Sequence, residues 1–325
     1  MMNITIDMCS AGHLDALQPL FAAYDPKPYF YLKAIDRDNL RKSFCQRIAA
    51  SCRDPLAGLF VASVAGETRG FALYKKLSWD SAIFDFGCGR IEYLGGIGSY
   101  EESLQIKRAL LSAIAERCQR DQIATRHSRT SLGDLSTIHA LESSGFQLIV
   151  VARRYYFTTR RALPPLKDLV PVRLSQDKDL DELKAIARTS FFPSRYSLDP
   201  MFPQARVHNL YAQWVENACR GTVQDVVIVA ERQGKVVGFV TCGIEHELNK
   251  YFPVRLGSVH LAAASQASRG RGVVPSCWKA GLQWFSDKVH LIETVIAIQN
   301  EATARIALRF GGRYGDACVD FHRWF

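Results

Sequence analysis

The sequence predicts an α/β protein: a mixed, mostly antiparallel sheet with helices on both faces, built twice in tandem. Three observations lead there. The chain has 325 residues, a length that favours two domains. Its composition, with 48% hydrophobic and 22% charged residues, 22 Gly and 12 Pro, is that of a folded protein and not of a disordered or repetitive one. A faint internal repeat runs through it at an offset of about 168 residues.

In the first half, Gly66-Glu67-Thr68-Arg69-Gly70-Phe71 joins the apolar run from Leu59 to Val64 to the alternating Phe71 and Leu73. In the second half, Gly234-Lys235-Val236-Val237-Gly238-Phe239 joins the run from Val226 to Ala230 to Phe239 onward. Both read as β-hairpins with a glycine in the turn. The same offset, within three residues, aligns Arg90-Ile91 with Arg255-Leu256 at a strand start and Gly145 with Gly311 at a helix end. Each half opens on a strand, Ile4 to Asp7 or Val170 to Arg173, followed by amphipathic helices carrying Leu14, Leu17, Phe21 and Tyr24, or Leu210, Trp214 and Ala218, on one face. The expected order in each copy is strand, two helices, hairpin, long strand, helix, strand, helix and a final strand pair, with antiparallel strands first and a β-α-β unit after them. Phe321 to Phe325 reads as a final edge strand packing against its copy. The polar, Pro-paired stretch from Thr158 to Pro165 reads as a linker, which divides the chain into domains 1–160 and 170–325 joined by 161–169.

Several classes of function fall away. Basic residues exceed acidic ones by 21 to 16 before residue 165 and by 20 to 16 after it, so the net charge of +9 forms no block and a nucleic-acid arm is not expected. No apolar run reaches the ~18 residues of a membrane span, and Asp7, His13, Asp15 and Asp25 stand where a signal peptide would be apolar, so a cytoplasmic location without membrane insertion is expected. Nine cysteines with no C-x-x-C pair predict reduced core thiols, with neither a disulfide framework nor a metal site.

The copies differ at one place. After the strand from Leu256 to Ala264, Arg269-Gly270-Arg271-Gly272-Val273-Val274-Pro275 opens a helix whose apolar face carries Cys277, Trp278, Leu282 and Phe285. Glycines allow close backbone approach, a helix start offers unpaired N–H groups and a favourable dipole, and Pro275 is harmless in the first turn. This is the pattern of a diphosphate cradle. The first copy carries Gly98-Ser99-Tyr100-Glu101-Glu102 there, whose carboxylates cap a helix and repel phosphate.

Arg269 to Val273 at a strand-to-helix turn, followed by Gln299-Asn300 and by Gly311, resembles the GCN5-related N-acetyltransferase (GNAT) superfamily. Ser194-Arg195-Tyr196, the run from Tyr211 to Thr222 with Trp214, and Leu77 to Phe84 of the first copy resemble the dTDP-fucosamine acetyltransferases within it, sugar-nucleotide N-acetyltransferases of bacterial surface-polysaccharide synthesis. The resemblance implies tandem GNAT-like domains, a first without the pyrophosphate loop and a second that binds acetyl-CoA or another acyl-CoA. It implies that Ala262 and Ala264 hold the pantetheine arm, that Arg269, Gly270, Arg271, Gly272, Val273 and Val274 hold the pyrophosphate, and that Asn300 contacts acetyl-CoA. A tyrosine seven residues after that asparagine protonates the thiolate in the family, and here Ala307 stands at that position.

Direct attack of an amine on a thioester needs in-line positioning, a polarised carbonyl and a base. His260, two residues before Ala262, is the first candidate base and Glu245 the second; a histidine bonded within the core is the alternative for His260. Tyr314 or solvent is the candidate acid in place of position 307. Arg195, with Ser194, Tyr196, Tyr211 and Trp214, is the candidate grip on a nucleotide-linked amino sugar. A small amine, a peptide amine or an antibiotic as acceptor stays open, as do a non-catalytic coenzyme A or nucleotide-sugar binding module and a homodimer.

Overall fold

The computed structural model describes residues 2–9, 14, 17–24, 29, 32, 36–159, 162–166, 170–250, 252 and 254–325. Of the expected linker, 161 and 167–169 lie outside the described residues; 162–166 are irregular, with Leu163 and Leu166 packed on the core of the second unit. The chain forms two compact units, residues 1–151 with 316–325, and residues 152–315. A single cut at 161–169 would leave the last strand of each half in its own unit; the chain assigns 152–158 and 316–325 the other way round.

The first unit contains β1 (Ile4–Cys9), α1 (Gln18–Ala23), α2 (Arg37–Ser51), β2 (Ala57–Val64), β3 (Glu67–Lys76), α3 (Ser78–Phe84), β4 (Gly87–Gly96), α4 (Tyr100–Arg120), β5 (Ile123–Ser131), α5 (Leu135–Ser143) and the start of β6 (Gln147–Thr158). Its strands run in the order β1, β2, β3, β4, β5, and then the C-terminal strand of the chain. The hairpin turn expected at Gly66 is a two-residue connection between β2 and β3. Alternate residues of these strands fill opposite faces: Phe60, Ala62, Ala72 and Tyr74 pack towards α4 with Ile106 and Leu110, whereas Leu59, Val61, Phe71 and Leu73 pack with Phe21 and Phe44 of α1 and α2. A period of two with both phases buried is the signature of a sheet covered on both sides.

The second unit continues β6 and adds β7 (Val172–Leu174), α6 (Leu180–Arg188), α7 (Arg195–Leu198), α8 (Gln204–Cys219), β8 (Val226–Arg232), β9 (Lys235–Ile244), α9 (His246–Asn249), β10 (Leu256–Ala264), α10 (Val273–Trp284), β11 (Leu291–Ala297), α11 (Glu301–Arg309) and the start of β12 (Arg313–Trp324). Its order is β6, β11, β10, β9, β8, β7, with β10 and β11 parallel and the other paired strands antiparallel. Trp278 and Cys277 of α10, and Phe285 just after it, pack on Ile228, Ala230, Val240 and Cys242, while Val229 and Phe239, on the alternate phase, are equally buried. The expected fold class is therefore the observed one. Two details differ from expectation: a short helix, α3 or α9, stands between the hairpin and the long strand in each copy, and each copy ends in one 12-residue strand, not a strand pair.

The C-terminal segment is also placed differently from an edge strand on its own copy. Cys318 to Trp324 pair antiparallel with Ser131 to Thr125 of β5, within the first unit. The reason is chemical: Phe321 is fully buried in that unit's core, and Asp320, on the other face, accepts hydrogen bonds from Arg129 at 2.8 and 2.9 Å and pairs with His127 at 2.7 Å.

Candidate active site

Strand splaying opens the site. β10 and β11 pair only from Leu256–Leu291 to Ser258–Glu293, after which both continue apart, to Ala264 and Ala297. On its other side β10 pairs with β9, with a register shift between Val259 and Ala262. That bulge is pinned by the fully buried Thr241, whose Oγ1 accepts the Leu261 N–H at 3.0 Å. A bulge beside a site re-aims side chains, and here it turns Ala262 and Ala264 towards α10 while His260 faces the other way.

The splay leads into a cleft of about 600 Å³ lined by residues 262–264, 268–270 and 272–275 on one side and by Asn300, Ala302, Thr303, Ile306 and Arg309 of α11 on the other. Of the residues expected to hold an acyl-CoA, Ala262, Ala264, Arg269, Gly270, Gly272, Val273, Val274 and Asn300 thus line one cavity. Arg271 does not; its carbonyl accepts a hydrogen bond from Arg232 at 2.9 Å, which ties the loop to β8. Gly270 and Gly272 have φ of +74° and +75°, a region that favours glycine. Gly272 is the N-cap of α10, with no side-chain cap and no acidic residue in the first turn. The amide dipoles of this helix start therefore face the cleft without a carboxylate of their own, which fits a diphosphate.

The first unit shows what the same position looks like when closed. There Ser99 and Glu102 form a reciprocal capping box on α4, the Ser99 N–H donating to Glu102 at 2.7 Å, and these bonds hold the Glu102 carboxyl below its usual range. Lys107, 3% exposed, reaches from α4 to Asp134 at 3.1 Å and Ser136 at 2.7 Å, and Tyr100 meets His139 of α5 at 2.5 Å. The α4–α5 groove is stitched by its own side chains.

His260 and Glu245 come together at the end of β9 and the middle of β10, with Nε2 and Oε1 3.6 Å apart, beyond a direct hydrogen bond. The His260 side chain is 30% open. Burial holds its pKa below the ordinary imidazole value, against the opposing charges of Glu245, Glu293 and Asp225. At neutral pH the ring is therefore a free base. Sequence reasoning missed Glu293 and Arg154, a buried pair 2.5 Å apart between β11 and β6. A glutamate inside the apolar run Leu291 to Ala297 was the available signal. Ser258 and Gln224, both buried, were missed as well.

The remaining expected residues lie elsewhere. Tyr314 is half exposed, with its ring 5.3 Å from that of Tyr155 and under the Arg153 guanidinium at 4.6 Å. Ser194 caps α7, and Arg195 lies over the ring of Tyr196 at 4.5 Å. Tyr196 packs edge-on against Phe202, and Tyr211 stacks on Phe191 at 4.6 Å and lies parallel to Trp214 at 6.3 Å. Burial pushes the Tyr211 phenol up to about 12. Among the described residues, no group of three or more His, Cys, Asp or Glu could hold a metal, and no helix is long and apolar enough to cross a membrane.

Position 307 requires a correction. Ala307 does not point towards the cleft but is fully buried in the core with Trp278 and Phe310; the face of α11 towards the cleft carries Thr303 and Ile306. Ala307→Tyr is therefore an overpacking change, expected to cost about 1–3 kcal/mol. Thermal unfolding checks it, and a variant that melts like the wild type while turning over faster would contradict this placement.

Residues 182–311 match the family model described as acetyltransferase (GNAT) family. The chain is 27% identical over 177 residues, 53% of its length, to the spore coat polysaccharide biosynthesis protein SpsD of Bacillus subtilis (strain 168). That match spans 57% of SpsD. Among solved structures, a GCN5-related glucosamine N-acetyltransferase region of a fungal multi-domain GH3 β-N-acetylglucosaminidase superposes on 99% of this chain with a TM-score of 0.65 at 15% identity, the match spanning 38% of the fungal chain. A tandem GNAT protein from the clavulanic acid biosynthesis pathway superposes on 99% of this chain, over 98% of its own length, with a TM-score of 0.56 at 13% identity.

Proposed function

We propose, from the premise that the chain carries a GNAT-family N-acetyltransferase domain in residues 182–311, that it acetylates the amino group of a nucleotide-linked amino sugar with acetyl-CoA as donor. One observation carries the donor half: the glycine turn, an α10 N-terminus free of acidic residues, and Asn300 line the same cleft below the splayed strands. The acceptor half is supported by the polysaccharide-biosynthesis name of the relative and the glucosamine N-acetyltransferase name of the fungal region.

The donor would be held at its diphosphate by Gly270, Gly272 and Arg269 and along its arm by Ala262 and Ala264. Bound there, it supplies an activated thioester carbonyl. The work of this chain is then to position, desolvate and move a proton. His260, neutral at physiological pH, takes the proton of the attacking amine, directly or through one water, and Glu245 orients and balances the imidazolium so formed. Arg195 is the proposed grip on the nucleotide, with Ser194, Tyr196, Tyr211 and Trp214 as its supporting wall.

A free-thiol release assay across dTDP- and UDP-linked amino sugars tests the reading. Amine-dependent release with at least one sugar nucleotide, and formation of its N-acetyl product, is the expected result. Release with only non-sugar amines would overturn the acceptor half.

A further inference from the structure

Two buried polar atoms beside Gly243 have no partner among the described residues. Gly243 lies on β9, directly paired with Ser258 of β10, so its α-carbon face and the Ser258 side chain point the same way. A Cβ built on Gly243 would lie 3.6 Å from His260 Nε2 and 3.6 Å from both Cα and Cγ of Gln224. Gln224, ahead of β8, and Ser258 and His260 of β10 thus border one notch that exists because residue 243 has no side chain. Gln224 is 6% exposed and Ser258 5%, and neither Gln224 Oε1 nor Ser258 Oγ has a hydrogen-bond partner among the described residues. Buried polar atoms are nearly always paired, and an unpaired one costs stability unless something else meets it.

We propose that the Gly243 notch is the subsite for the acceptor's nucleophilic amine, a specificity-determining element that deepens the function proposed above and rests on it. Gln224 Oε1 and Ser258 Oγ accept hydrogen bonds from the amine and from a hydroxyl on the neighbouring carbon. His260 Nε2 takes the remaining amine proton as the new N–C bond replaces the C–S bond, and the sulfur leaves with the electron pair of that bond as the coenzyme thiolate, which takes a proton from solvent. The chemistry that matches is a primary amine with an adjacent hydroxyl, as on an amino-sugar ring. Two orphaned acceptors reject an acceptor that lacks those donors, because each would then stay buried and unmet.

Gly243→Ala tests it. The added methyl makes ordinary contacts at 3.6 Å and meets no left-handed backbone, so the fold accepts it, yet it fills the notch. The expected result is an unchanged or raised melting temperature, unchanged acetyl-CoA affinity, and a loss of about tenfold or more in kcat/KM for the amine. Gln224→Leu should show the same loss in kcat/KM, since it removes the unpaired Oε1. Full amine turnover in Gly243→Ala, or a clear fall in the melting temperature of Gln224→Leu, would overturn the proposal, the second by showing the amide to be structural. Should the wild type use an amine other than a sugar nucleotide, the same loss in Gly243→Ala supports the notch while the sugar reading fails. With no amine turned over at all, both fail.

Discussion

His260→Ala is expected to lower turnover by about 10²–10⁴-fold while leaving acetyl-CoA affinity unchanged, the range typical of removing a general base. His260 and the diphosphate cradle belong to different faces of β10: Ala262 and Ala264 turn towards α10, so a change at His260 leaves the cleft lining intact. The pH profile adds a second readout. Burial lowers the imidazole pKa below its ordinary value of about 6.5, so the free base persists through neutral pH and activity falls only as pH drops below that lowered value. The variant should lose this acidic limb along with its rate. Steady-state kinetics from pH 5 to 9 measure both. If instead Glu245→Gln removes the rate and His260→Ala does not, the base is the glutamate and the histidine only positions it.

The second large effect is on stability. Asp320→Asn should destabilise the first unit by about 3 kcal/mol, the lower end for breaking a buried pair because the Arg129 side chain remains 34% exposed. Burial by itself would raise the Asp320 pKa. The charge of Arg129 and the bond to His127 more than offset that and hold it far below the usual carboxylate range. A depressed folded-state pKa stabilises above the unfolded value, about 3.9 for aspartate, and this contribution is lost as pH falls from there towards the folded value. The wild type should therefore lose more stability than the variant on acidification below about pH 4. For a unit of this size, 3 kcal/mol corresponds to about 6–12 °C in melting temperature. Calorimetry at pH 7 and pH 3.5 reads both; a variant melting with the wild type at pH 7 would show the network to be inert.

What could be read in advance followed from local pattern. Two hairpins, a glycine turn flanked by arginines and a carboxylate-capped counterpart are short-range signals, and each lies within about ten residues of sequence. The misread features are long-range. The pairing of Asp320 with Arg129 spans 191 residues, and the strands read as closing each half belong to opposite units because their inward polar residues find partners there. Lys107 and Asp134 stand 27 residues apart, and Arg154 and Glu293 139, so no helical or strand period links them. Spacing from Asn300 along the chain does not tell which face of α11 meets the cleft; that is set by how Phe310 and Trp278 pack, which turns Ala307 into the core.

Calorimetric titration with acetyl-CoA tests most directly the claim that only the second unit holds a donor. One site per chain is expected, abolished by Gly270→Glu, which puts a strained residue and a carboxylate where φ is +74° and a diphosphate should lie. Glu102→Ala, which removes the carboxylate half of the α4 capping box, should leave the stoichiometry at one, because Lys107 and Asp134 still close that groove. Two sites per chain, or binding that survives Gly270→Glu unchanged, would contradict the account.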